Sequence, residues 1–250
     1  MAKLYVWKRP VDINPKVDHT MVTDYPALSG SEVPAENYWY CWGGVHKNGT
    51  NFNSADADID FASCISKPNR PKDHAGIPGP YGIHGVCQQV ANRVLYATQS
   101  DSGKPITVEG ANGYKSSVFM YGVYGTGTPD WQSHLSGCVG PIAMTNDDGM
   151  SVFASIADQF SSEAMNNVSS IHNELLAEKE KLDKKVMQGE INGEEFANQV
   201  NQLIETKMRE IADIIGEEAY IKVFNQSPEE PVTVMDPEIA KNEVYTVLDA

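Results

Sequence analysis

Gly76-Ile-Pro-Gly-Pro-Tyr-Gly-Ile-His-Gly-Val-Cys87-Gln-Gln-Val-Ala-Asn-Arg-Val-Leu-Tyr-Ala-Thr98 carries a glycine- and proline-rich loop straight into a cysteine that opens a helical run. Val90, Ala91, Val94 and Ala97 share one face of that run, the spacing of a buried helix. Pro78, Gly79, Pro80, Gly82 and Gly85 disfavour helix upstream and permit close backbone approach. Cys87 is therefore placed in the first turn, where unsatisfied N–H groups and the positive end of the helix dipole favour a thiolate. The thiolate is the nucleophilic form of cysteine.

The chain has 250 residues, enough for one large domain or for a domain with an appendage. A net charge of −15 argues against general nucleic-acid binding, which depends on neutralising phosphates. Residues 1–150 carry 11 basic and 14 acidic side chains, whereas residues 151–250 carry 8 and 20. The two parts therefore face solvent with different charge. No apolar run is long enough to span a bilayer, and the basic N-terminus lacks the apolar core of a secretory signal. A cytoplasmic protein is expected, with no membrane partner. Its four cysteines (Cys41, Cys64, Cys87 and Cys138) are then read as free thiols rather than a disulfide framework.

Residues 1–150 read as an α+β core. Leu4–Trp7, Tyr38–Trp42 and above all Ser117–Tyr124 are β-favouring, and the Cys87 helix lies between them. From Ser151 the apolar residues recur at three- and four-residue intervals, predicting an amphipathic helix as far as Met187 with Gly189 as its stop. Asn192-Gly-Glu-Glu195 supplies an N-cap for a second helix that ends at Gly216. Residues 151–225 thus form an αα-hairpin with a further short helix over Glu217–Phe224, and residues 226–250 an extended tail. The apolar stripes are expected to pack against each other and the core. A lid or docking surface is the sharper alternative.

A cysteine nucleophile wants an imidazole within reach and a carboxylate or amide to orient it. Of the six histidines, His134 follows the best strand downstream of Cys87, and His46 ends the aromatic strand upstream. His134 pairs with Asp147 as orienting acid, or with Asp148, Asp130 or the amide of Asn146; His46 pairs with Asp56, Asp58 or Asp60. His84 sits too close in the preceding loop to be a base. His172 belongs to the hairpin near its apolar stripe, and His19 and His74 lie in polar segments expected to be exposed. Oxyanion stabilisation is assigned to the Cys87 N–H, with Gln88 or Tyr81 as the second donor.

Gly85-Val-Cys87 opening a helix, with His134 downstream, resembles the papain-like thiol superfamily and its transglutaminase-like branch over residues 77–148. That order, cysteine first and histidine later, is the unpermuted one; His46 would give the permuted order. Gln88 stands where an aromatic residue often follows the nucleophile. The chain also resembles the amide-forming transglutaminase homologues known from biosynthesis of the polyamide closthioamide. The resemblance implies a papain/transglutaminase-like core and acyl transfer through a Cys87 thioester. His134 would take the thiol proton, and the acyl donor would be a thioester, small-molecule, peptidyl or borne on a carrier protein. An amine acceptor gives amide synthesis; water gives a peptidase or amidase. Neither metal nor cofactor is implied.

Three other readings compete. Free cysteine is commonly a small buried hydrophobe, and the aromatic-rich body with its hairpin also suits a non-enzymatic binding module. Cys64, His74, His84 and Cys87 have donors suited to zinc, but only His84 and Cys87 are compactly spaced. Gly122–Gly127 lacks the context of a phosphate-binding loop, and Asn192–Phe196 lacks the alternating acidic ligands of a calcium loop.

Overall fold

Leu4, Val6 and Trp7 are buried in β1 (Ala2–Val11), the strand expected around Leu4–Trp7. Asp12 and Ile13 turn the chain, and β2 (Asn14–Thr23) returns antiparallel beside β1. Two local contacts shape this turn: Arg9 Nη2 donates to Asp12 at 3.0 Å, and Asn14 Oδ1 accepts the Lys16 N–H at 3.1 Å. β3 (Tyr38–Tyr40) pairs with β2, and β4 (Thr50–Ala57) pairs with β1. The sheet has the order β3-β2-β1-β4, antiparallel throughout. Pro10, which has no N–H to give, lies beyond the last β1–β4 pair at Lys8 and Thr50. Residues 2–23, 38–40, 49–57, 80–98, 106–126 and 149–245 are those described in this computed structural model.

The chain is α+β and divides into two compact units. The first comprises Met1–Tyr114 and Val123–Asn146; the second comprises Lys115–Gly122 and Asp147–Ala250. Within the first, α1 (Cys87–Thr98) lies against β2 and is buried on every side from Cys87 to Leu95. The helix expected from the Cys87 run is therefore present, but its polar face is buried as well.

Of Ser117–Tyr124, expected to be a strand, residues 117–121 belong instead to α2 (Tyr114–Tyr121), and residues 122–124 follow its end. Val118, Phe119, Met120 and Tyr121 are all buried in succession. Such a run cannot alternate between core and solvent, and periodicity alone does not separate a buried strand from a buried helix. Gly122, at φ +73°, donates its N–H to the Val118 carbonyl at 2.7 Å and ends the helix in the left-handed region.

In the second unit the expected long first helix starts later than its apolar pattern does. Met150–Phe153 and Ala157–Gln159 are 3-10 turns, and Phe160 is extended. α3 (Ser162–Met187) then begins where the Ser161 hydroxyl accepts the Ala164 N–H at 3.1 Å. α4 (Gly193–Ile215) opens on a capping box, with Asn192 and Glu195 each accepting the other's backbone N–H. α3 and α4 form the expected hairpin, and α5 (Glu217–Phe224) matches its expected bounds. The tail is not simply extended: it includes α6 (Pro237–Ala240). Asn201 of α4 holds it by accepting from the Val234 and Met235 N–H groups and donating to the Met235 carbonyl. Val232, Val234, Met235 and Ile239 are consequently buried.

One ion pair of α3 makes the second unit sensitive to acidity. The buried Lys179 ammonium donates to Asp183 Oδ2 at 2.7 Å and sits 5.1 Å from the centre of the Tyr121 ring. Asp183 Oδ1 is buried without a hydrogen bond. Burial pushes the Asp183 carboxyl up to about 6, against the opposing pull of Lys179 and with a smaller push from Glu180. Burial also raises the hydroxyls of Tyr121 and Tyr245, keeping both neutral. The folded state therefore binds a proton that the unfolded chain releases between about pH 4 and 6. Stability rises as pH falls through 6 and levels off below about 4, a gain of about 2–3 kcal/mol at about 1.4 kcal/mol per pH unit. Urea unfolding of the wild type and Asp183→Asn at about pH 7.5 and 4.5 checks this. The wild type should gain on the variant by that amount on acidification, and a constant gap would refute the assignment.

Candidate active site

Cys87 is the first residue of α1, as its sequence context demands, and it is buried. Its sulfur faces an imidazole. His19 Nδ1 lies 3.7 Å from Cys87 Sγ, and both residues are only 5% exposed. This histidine was expected to be exposed because Lys16, Asp18 and Thr20 make its segment look polar. The structure corrects that: Asp18, His19 and Thr20 are all buried. Strand alternation places His19 on the same side of β2 as Met21 and Thr23, whose cross-strand partners are Trp7 and Tyr5. Trp7 Nε1 donates to Thr23 Oγ1 at 2.8 Å across that face.

Each polar side chain of the buried helix pins a neighbouring backbone segment. Gln89 Oε1 accepts the Val86 N–H at 3.1 Å, closing the entry to α1. Gln88 Nε2 donates to the carbonyls of Asp18 and Asn112, both at 3.3 Å. Asn92 donates to Tyr114 Oη and the Val123 carbonyl and accepts the Val108 N–H. Arg93 donates to the carbonyls of Tyr124 and His84. Gly125, at φ +99°, passes so close to Arg93 and the His84 carbonyl that any Cβ there would collide with both. The loop leading into Cys87 is thus held by the helix that follows it.

The neighbouring strand residue is anchored just as heavily. The Asp18 carboxylate accepts the Asn112 N–H at 2.8 Å and lies 3.6 Å from Lys8 Nζ. The Asp18 N–H donates to the Asn112 carbonyl at 3.1 Å, and Lys8 Nζ donates to the Gly110 carbonyl at 2.8 Å.

The other sequence candidates fall into three groups. His134, His46, Asp147, Asp148, Asp130, Asn146, Asp58 and Asp60 lie outside the described residues. Asp56 is exposed on β4, and the Gln88 carboxamide is spent on two carbonyls rather than offered as an oxyanion donor. His172 is a core residue of the second unit, its Nε2 lying 2.8 Å from the Phe119 carbonyl oxygen. The Cys87 N–H, at the first helical position, has no acceptor within its own helix and remains the candidate oxyanion donor.

Among the described residues no group of three or more His, Cys, Asp and Glu is gathered as a metal site, and Cys64 and His74 lie outside them. No helix among the described residues is long and apolar enough to cross a membrane. No family model matches this chain, and comparison with curated proteins and with solved structures finds no match.

Chemically, the pair can move one proton. With Nδ1 bare, the imidazole accepts the thiol proton; with Nδ1 protonated, it donates a hydrogen bond to the thiolate.

Proposed function

We propose that Cys87 and His19 form a catalytic dyad for acyl transfer through a Cys87 thioester. The observation carrying this reading is the 3.7 Å approach of a strand-borne imidazole to a thiol at a helix start. A cysteine helix lying against an antiparallel sheet that bears the histidine also supports the papain-like resemblance. His19 precedes Cys87, so the proposed dyad stands in the permuted order relative to both papain-like and transglutaminase-like enzymes.

In the proposed reaction His19 takes the thiol proton, and Cys87 Sγ attacks the carbonyl carbon of an acyl thioester. The carbon–sulfur bond to the donor breaks, and the departing thiolate collects the proton from His19. An amine then attacks the Cys87 thioester and gives its proton to His19, releasing an amide and restoring the thiol. Water in place of the amine yields a carboxylic acid.

Intact-mass analysis after mixing the protein with a panel of acyl thioesters, such as acyl-N-acetylcysteamines, tests the proposal. A mass gain of one acyl group on wild type, absent from Cys87→Ala, is expected. Discharge of that adduct by added amines faster than by water assigns amide synthesis; amine-independent discharge assigns hydrolysis. No Cys87 adduct with any donor would overturn acyl transfer.

A further inference from the structure

Gln88 links the two halves of the proposed dyad. It follows the nucleophile in α1, and its carboxamide reaches the carbonyl of Asp18, the residue before the base in β2. Its second proton goes to the Asn112 carbonyl, which also accepts the Asp18 N–H. The residue is 2% exposed, so water does not readily replace these contacts. The backbones beside Cys87 and His19 are therefore tied to one another through the Gln88 carboxamide. A shift of about 1 Å in such a pair can lower a rate about 100-fold.

We propose that Gln88 is a positioning residue: it sets the approach of His19 to Cys87 by clamping the start of α1 to β2. An aliphatic side chain of similar size would fill the space, remove the Gln88 donor from the Asp18 carbonyl and leave the Asn112 carbonyl with the Asp18 N–H. The inference rests on the Cys87–His19 dyad, and a double-mutant cycle separates its failure from that of the dyad.

The experiment follows carbamidomethylation of Cys87 by iodoacetamide at neutral pH, read by peptide mass spectrometry. It compares wild type, His19→Gln, Gln88→Met and the double variant, with Val94→Ala as a packing control in the same helix. His19→Gln should slow labelling about 10-fold or more, and Gln88→Met about 5-fold. Because Gln88 acts through His19, the double variant should label no more slowly than His19→Gln alone, within about twofold. Val94→Ala should label as wild type does.

Wild-type labelling in Gln88→Met, or a double variant slowed by the product of the two single factors, overturns the positioning role while leaving the dyad intact. No slowing in His19→Gln overturns both. Should Gln88→Met fail to fold, the wild-type protein still decides. Its Gln88 side-chain amide protons, donated to two buried carbonyls, should exchange with solvent far more slowly than those of an exposed glutamine such as Gln202; exchange at the exposed rate overturns the clamp.

Discussion

His19→Gln is expected to lower single-turnover acylation of Cys87 by about 100-fold or more, the scale of general-base catalysis, with little change in KM. Glutamine keeps a polar side chain of comparable reach in the buried pocket but cannot accept the thiol proton. The loss therefore falls on the proton-transfer step rather than on folding or substrate binding. Circular dichroism should superimpose on wild type, because Trp7, Met21 and Thr23 still pack on that side of the sheet. Rapid-quench measurement with a saturating acyl thioester provides the readout. A wild-type rate in His19→Gln would remove His19 from the chemistry and return the base to His134 or His46. A rise in KM alone would make His19 a substrate contact.

Cys87 was legible because its signal is local: proline and glycine stop one conformation and the next residues start another. The hairpin was legible for the same reason, with Asn192 and Glu195 announcing the cap and the apolar spacing announcing the stripe. His19 was not, because its assignment depended on long-range packing. The clue lay in alternation. Val17, His19, Met21 and Thr23 occupy one side of a strand, and Thr20 and Val22 add β-branched residues on the other. Asp12, Asn14 and Pro15 mark a turn back from Leu4–Trp7. Reading that hairpin would have placed His19 on a sheet face instead of in a polar loop. Chain order does not decide the partner, since an antiparallel sheet can deliver a histidine to a helix start from either side of the cysteine.

The polar residues of α1 show a related effect. Gln88, Gln89, Asn92 and Arg93 resemble a solvent-facing stripe in sequence, yet all four are buried. Their partners are mainly backbone groups of loops, and such groups carry no signature in residue type. A polar helix face predicts solvent only where no loop is available to consume it. Here the loops at 80–86, 106–113 and 122–126 consume it, so the polar face becomes the framework around the thiol.

The same ambiguity between propensity and packing yields the largest stability prediction. Phe119→Ala is expected to destabilise the second unit by about 3–5 kcal/mol, the range for a buried phenylalanine. Phe119 is fully buried in α2 and meets Phe153 edge-on at 5.7 Å, Phe224 at 6.0 Å and His172 at 4.7 Å between ring centres. Truncation leaves a ring-sized void lined by three aromatic groups, two of which, Phe153 and Phe224, also contact one another at 5.7 Å. Collapse into the void is hindered because the His172 Nε2 contact is with the Phe119 backbone, which the substitution leaves in place. Hydrogen exchange should show peptides from 115–122 and from α3 and α5 losing protection together, since their side chains share one aromatic cluster. Urea titration should show the corresponding fall in midpoint. A loss below about 1 kcal/mol, with exchange unchanged, would match a surface position rather than a core one. That result would detach Phe119 from the helical unit and reopen the strand reading of Ser117–Tyr124.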